Sequence, residues 1–280
     1  MRIFVAGASG VLGRAFVRRA VADGHEVVGM TRSARGAAAI IGLAAAAVRA
    51  DAFDREAVMR VVGAARPDAV VHLLTDLASG DSASNARIRT EGTRNLIDAA
   101  KAAGVDRVIA ESISWVYPPG TKPASEAEAL DSFATEPRLT TIRGVTALED
   151  SVREMPEGVV LRFGQLYGPG TWYAPDGLRA DAARAGTLPA TQTVTSFVHV
   201  EDAAEATLRA LRWPARTWNI VDDEPAAATE WVPVFACAVG GPRPVVEAGG
   251  DIGRPVSNAR ARAEGWEMLY PSWRDGFSAR

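Results

Sequence analysis

The stretch RIFVAGASGVLG, residues 2–13, constrains this chain more than any other. A short strand-like run leads straight into Gly7, Gly10 and Gly13, and VLGRAFVRRAVADG (11–24) then carries apolar residues at helical spacing. Each glycine has its own use. Gly7 permits a tight turn, Gly10 lets an anion approach the backbone, and Gly13 lets the helix pack close on the strand. A helix start also offers unsatisfied N–H groups and the positive end of its dipole, so the natural guest is a diphosphate. The spacing is GxxGxxG rather than GxGxxG, and a glycine triplet alone is a weak sign. Its place at a strand–helix junction gives it force.

The same alternation continues downstream. HEVVGMTR (25–32), DAVVHLLT (68–75), DRVIAESIS (106–114) and GVVLRFGQLYG (158–168) are strand-like. DREAVMRVVGAA (54–65), SNARIRTEGTRNLIDAAKAAG (84–104, with Gly92 inside) and TTIRGVTALED (140–150) are helical, and the alanine-rich GAAAIIGLAAAAV (36–48) is expected to be helical too. Apolar runs such as VVHLL, without alternation, suit strands buried on both faces. Repeated β–α units of this kind predict an α/β fold with a Rossmann-like doubly wound parallel sheet. After Gly168 the chain turns to loops rich in Gly, Pro and Trp between short elements: SFVHV (196–200), EDAAEATLRALRW (201–213) and TWNIVDD (217–223). This predicts a small C-terminal substrate lobe. The expected division is a dinucleotide-binding domain over 1–165 and a mainly substrate-binding lobe over 166–280, with some returns to the sheet.

The end of the second strand chooses the cofactor. An acid there would bind the ribose hydroxyls of NAD. This chain has Thr31-Arg32-Ser33 instead. Arg32 can pair with a 2′-phosphate, with Thr31 and Ser33 as further donors, which favours NADP(H) over NAD(H). The plainer alternative is a solvated surface arginine. Asp51 suits an acceptor for the adenine amino group, while a helix-capping role for Asp51 or Asp54 is equally cheap. The expected cofactor groove comprises Gly7, Ser9, Gly10, Val11, Leu12, Gly13, Thr31, Arg32, Ser33, Asp51, Ala52, Leu73, Leu74 and Thr75.

With VAGASGVLG, DAFD (51–54), VVHLLT (70–75), GTRNLIDAA (92–100), VIAESISWVY (108–117), LRFGQLYGPG (161–170), SFVHVEDAA (196–204) and ARAEGW (261–266) in that order, the chain resembles the extended short-chain dehydrogenase/reductase family. The kinship is with its NAD(P)-dependent epimerase/dehydratase type. The resemblance covers nearly the whole chain. It implies a Rossmann domain, a C-terminal substrate lobe and a site between them.

The resemblance also implies a proton relay, and here the chain departs from it. The family uses a Tyr and a Lys four residues later on one helix, with a Ser or Thr nearby. The Lys lowers the Tyr pKa so that the phenol can exchange a proton with the substrate oxygen. Anchored on ALE (147–149), the Tyr position is Thr141 and the Lys position is Val145. The hydroxyl position is Ile113, between Ser112 and Ser114, and the Asn before the helix glycine becomes Arg89. No Tyr lies between Tyr117 and Tyr167 and no Lys follows Lys122, so no shift of register restores the pair.

Three substitutes are candidates for the catalytic proton donor. Tyr173, in GPGTWYAPDG, follows the strand expected to face the nicotinamide, although a packing aromatic there is equally plausible. Ser114 and Tyr117 lie at the carboxyl end of the fifth strand, where such sheets bind ligands. One step along a strand turns a side chain to the other face, which counts against Ser114, and Tyr117 suits packing on the following loop. His72, His199 and His25 read as structural. Trp115, Trp172 and Trp231 are possible pocket walls.

The remaining observations narrow the class. Three dispersed histidines and a single cysteine, Cys237 in an apolar run, predict no metal site and no internal disulfide. A net charge of −3 gives no reason to expect nucleic acid or an anionic membrane as partner. With no long apolar run and no basic leader, a cytoplasmic protein is expected. A homodimer through 84–104 and 139–154 is compatible with the resemblance. The leading expectation is an NADP(H)-dependent oxidoreductase acting on a small molecule with a non-standard proton donor. The alternatives are a nucleotide-binding non-redox enzyme (dehydratase, cyclase or isomerase) and a non-catalytic NADP-sensing regulator. Activated substrates that need no strong acid would reconcile the first with the missing pair.

Overall fold

A computed structural model describes residues 1–75, 82–249 and 253–278, the last without its side chain. Its strands are β1 (Arg2–Ala6), β2 (Glu26–Thr31), β3 (Ala46–Arg49), β4 (Ala69–His72), β5 (Arg107–Ile113), β6 (Glu157–Phe163), β7 (Gln165–Tyr167), β8 (Val194–Thr195), β9 (Phe197–His199), β10 (Thr217–Ile220) and β11 (Ala226–Ala227). The helices are α1 (Val11–Ala22), α2 (Ala34–Ile41), α3 (Arg55–Ala65), α4 (Ser82–Arg87), α5 (Thr93–Ala102), α6 (Arg138–Arg153), α7 (Leu178–Arg184), α8 (Val200–Arg209), α9 (Ala228–Ala238), α10 (Ala259–Ala263) and α11 (Trp273–Ser278).

The central sheet is parallel and runs β3-β2-β1-β4-β5-β6-β10. From β1 the chain winds outward through β2 and β3, then returns to lay β4 on the other side of β1. That reversal opens a crevice at the carboxyl ends of β1 and β4, the place where such sheets bind ligands. Residues of β1 and β4 are buried on both faces, as their unbroken apolar runs require.

Two compact units partition the chain. The first comprises 1–112, 130–161 and 204–217 and holds the larger core, in which Phe4, Val58, Val62, Leu96, Ile97 and Leu148 interdigitate. The second comprises 113–129, 162–203 and 218–280. It contains the parallel pair β7–β9, the antiparallel pair β8–β11, and an aromatic core of Tyr167, Tyr173, Phe197, Trp231, Phe235 and Trp273.

Three expectations about local structure need correction. The alanine-rich run 36–48 is helical only in its first part. α2 ends at Ile41, Ala44 takes φ 60°, and Ala46–Arg49 pair with β2. Ladder hydrogen bonds at the sheet edge outweigh alanine's preference for helix. The long helix expected over 84–104 is interrupted by a π-turn at Ile88–Gly92, which accommodates an extra residue between α4 and α5. The strand expected over 158–168 breaks at Gly164, where an added Cβ would meet the Ser196 carbonyl at 2.7 Å.

Candidate active site

The crevice predicted from topology is present within the first unit as a cleft of about 260 Å³. Its floor is the glycine turn. Gly7 adopts φ 90°, and a Cβ on it would lie 2.3 Å from the Leu73 carbonyl oxygen. A Cβ on Gly13 would lie 2.1 Å from the Gly7 carbonyl, so α1 approaches β1 as closely as backbone allows. Gly10, which lines the cleft, differs, because a Cβ there would meet only the Gly7 carbonyl, at 3.2 Å. Gly10 caps α1 without any side-chain hydrogen bond, and the first turn carries no acid. The N–H groups of Val11, Leu12 and Gly13 are left for a guest.

Of the residues expected to form the groove, Gly7, Ser9, Gly10, Thr31, Arg32, Ser33, Ala52, Leu73, Leu74 and Thr75 line this one cleft. Ser9 and Thr31 join hydroxyls at 3.0 Å. Ser33 caps α2, its Oγ accepting from the Gly36 amide at 3.0 Å, which leaves its own O–H to donate. Arg32 is exposed at the cleft wall and has no hydrogen-bond or ion-pair partner among the described residues. Asp51 is exposed beside the lining residues Ala50 and Ala52. One of its carboxylate oxygens accepts from the Phe53 amide, and Asp54 caps α3. These residues fit a dinucleotide: an open anion cradle, free amides and an unpaired guanidinium on the wall of the same cleft.

Helix α6 offers no comparable equipment. Thr141 is buried, with no hydrogen-bond partner for its hydroxyl among the described residues, and Val145 is fully buried. The helix instead packs and anchors. A Cβ on Gly144 would sit 3.0 Å from Cα of Ala86, so α4 and α6 touch closely. Ser112 on β5 donates to the buried Glu149 carboxylate at 2.9 Å, and Arg153 closes on the same carboxylate at 2.7 Å.

The two tyrosine candidates are occupied elsewhere. Tyr117 donates its O–H to Asn219 Oδ1 at 2.8 Å and accepts from Arg162 at 2.7 Å. Burial pushes its pKa up, against the pull of Arg162. Tyr173 lies with its ring against Phe197, Trp231, Phe235 and Phe277, at centroid distances of 5.4–5.9 Å. Burial pushes its hydroxyl up to about 12. Each tyrosine is therefore better accounted for as part of the second unit's packing than as an acid. Ser114 is buried in a short 3-10 turn, and its hydroxyl has no partner among the described residues. Trp231 belongs to the aromatic core, Trp172 packs on its margin, and Trp115 is exposed.

One cluster went unpredicted. His72 ends β4, and Glu111 stands one residue beyond Ala110, the partner of His72 in register. Arg89, on the π-turn, is only 4% exposed. His72 accepts from the Leu74 amide at Nδ1 (3.2 Å) and, through Nε2, donates to Thr93 at 2.8 Å. Burial, and then the charge of Arg89, drive it down to about 4. Burial raises Glu111 to about 7, opposed by Arg89. The sequence signalled only that Arg89 stands where the family has Asn.

A doubly wound parallel sheet with a glycine cradle at its switch point defines a dinucleotide-binding α/β protein. The model of the NAD dependent epimerase/dehydratase family matches residues 3–220, and the chain belongs to that family. It is an enzyme of the NAD(P)-dependent short-chain dehydrogenase/reductase type, an oxidoreductase. The chain is 41% identical over 304 aligned positions, 99% of each protein, to a 3-diazoavenalumate denitrifying reductase from a Streptomyces species. It is 28% identical over 87% of its length to a 2-alkyl-3-oxoalkanoate reductase of Stenotrophomonas maltophilia, covering 77% of that protein. Among solved structures, UDP-glucose 4-epimerase of Thermus thermophilus, in complex with NAD, superposes with a TM-score of 0.80 at 23% identity. The match covers 99% of this chain and 97% of that one, and at that identity it speaks for the fold alone. No helix among the described residues is long and apolar enough to cross a membrane.

Proposed function

We propose that this enzyme is an NADPH-dependent reductase that removes a diazo group from an aromatic ring as dinitrogen, leaving hydrogen in its place. What carries this reading is the pairing of a glycine-lined cleft with an α6 that has Thr141 and Val145 where the family resemblance puts the proton relay. Reduction of a carbonyl places negative charge on oxygen, and that charge must be met by a proton. Reduction of an aryl diazonium does not. ArN2⁺ and H⁻ give ArH and N2; the charges cancel, the leaving group is a neutral gas, and no acid is called for. The 41%-identical relative, by its name, acts on a diazo compound with loss of nitrogen.

In this reading the amides of Val11, Leu12 and Gly13 hold the diphosphate. Arg32 pairs with the 2′-phosphate, with the Ser33 hydroxyl as an added donor and Thr31 kept in place by Ser9. The second carboxylate oxygen of Asp51 is available for the adenine amino group, and Ala52, Leu73, Leu74 and Thr75 exclude water along the groove. Bound there, a reduced nicotinamide supplies the hydride. No proton is asked of Ser114, Tyr117 or Tyr173.

Incubation with NADPH and an arenediazonium that carries no ring hydroxyl tests this. Well above the protein-free rate, one NADPH is consumed for each dinitrogen released and each arene formed. NADPH loss with both nitrogens retained in a hydrazine, or turnover confined to ketones, would overturn it.

A further inference from the structure

Arg89 is a buried charge of the first unit that its described neighbours do not pair. Its guanidinium is buried and makes no hydrogen bond or ion pair among the described residues. A buried cation in that state is costly unless something pairs with it. Its neighbours do not close the account. His72 is held neutral between Leu74 and Thr93, so it offers no negative charge. Glu111 feels Arg89 across the carboxyl ends of β4 and β5 but forms no salt bridge with it, and burial favours its protonated form. The backbone is unusual at the same place. Arg89 sits inside the π-turn, a feature that tends to mark functional positions, and the preceding residue, Ile88, lines the cofactor cleft. Five N–H donors in a planar fork suit a carboxylate or phenolate oxygen.

We propose that Arg89, buried on the π-turn next to the cleft-lining Ile88, binds an anionic oxygen substituent of the substrate, a carboxylate or a phenolate on the aromatic ring. This rests on the reading above only in taking the substrate to be aromatic. It gives the enzyme a handle on its substrate that is separate from the reacting carbon, and it places the cation on the π-turn rather than on α6.

The test is calorimetric binding to the full chain with NADP⁺ present, using benzoate, a nitrophenolate at alkaline pH, and neutral benzamide as probes. Wild type binds at least one anion about tenfold or more above benzamide, as a charge-assisted contact would give. Arg89→Gln removes that preference, Arg89→Lys keeps part of it, and NADPH affinity changes by less than about twofold in both. Which anion is preferred separates the carboxylate from the phenolate. Thermal melting checks that the variants fold, and Arg89→Met is the apolar variant of similar length should Gln unfold. Unchanged anion preference in the folded variants, no anion binding by wild type, or an equal loss of NADPH affinity would each overturn the proposal. Because no turnover is needed, anion binding without dinitrogen release would refute the proposed function alone. Dinitrogen release without anion preference would refute only the role of Arg89.

Discussion

Helices α1 and α6 belong to the same unit, and the family's chemistry draws on both, yet they have fared differently in this chain. At the start of α1 every requirement for holding a diphosphate is met: a positive-φ glycine, a backbone contact too close for any side chain, and three amides left free. Along α6 the positions that the family resemblance assigns to the proton relay hold Thr141 and Val145, and the buried carboxylate, Glu149, is spent on Ser112 and Arg153. On the proposed function, the difference teaches that holding a cofactor and delivering a proton are separable properties of one scaffold. A substrate that releases a neutral leaving group lets the second lapse while the first is kept.

Substitutions can break or sharpen that contrast. The largest effect is expected at Gly10, which lines the cleft with its backbone in ordinary extended geometry (φ −71°, ψ 177°) and leaves room for a Cβ. Gly10→Asp puts an anion against the diphosphate and should weaken NADPH by about 100-fold or more while melting within a few degrees of wild type. Binding titrations that show less than about a threefold loss would mean the diphosphate lies elsewhere. A middle effect is expected at Arg32. Arg32→Ala should cost NADPH about 10- to 50-fold and leave NADH unchanged, the loss of one charge-assisted phosphate contact. An unaltered NADPH/NADH ratio would make Arg32 a solvated surface residue. The smallest effect is expected on α6, where Thr141→Ala should change kcat/KM by less than about threefold. A loss of several orders of magnitude in steady-state assays would show that the hydroxyl has taken over the family's Tyr role.

Much of the fold was legible because its signals are local. The glycine run, the apolar strands without alternation and the end of α1 at Gly24 each follow from residues close in sequence. The close turn at Gly7 and Gly13 was legible for the same reason, since a Cβ at either would run into backbone. The rest depends on partners far along the chain. Ala46–Arg49 is a strand only because β2 offers it a ladder, and alanine carries no mark of that. The π-turn at Ile88–Gly92 inserts one residue into an otherwise periodic helix, too small a change for periodicity to register. Tyr173 stands in a loop whose sequence fits a catalytic or a packing residue equally well, and four aromatic neighbours from elsewhere in the second unit favour packing. Arg89 was visible as a departure from family pattern, but its burial requires the third dimension.

The most direct test of a retained hydride path without a proton relay follows isotope into product. With NADPH deuterated at the transferring position, in ordinary water, the arene should carry deuterium at the carbon that lost nitrogen; with unlabelled NADPH in heavy water it should carry none there. Solvent deuterium at that carbon would contradict the account.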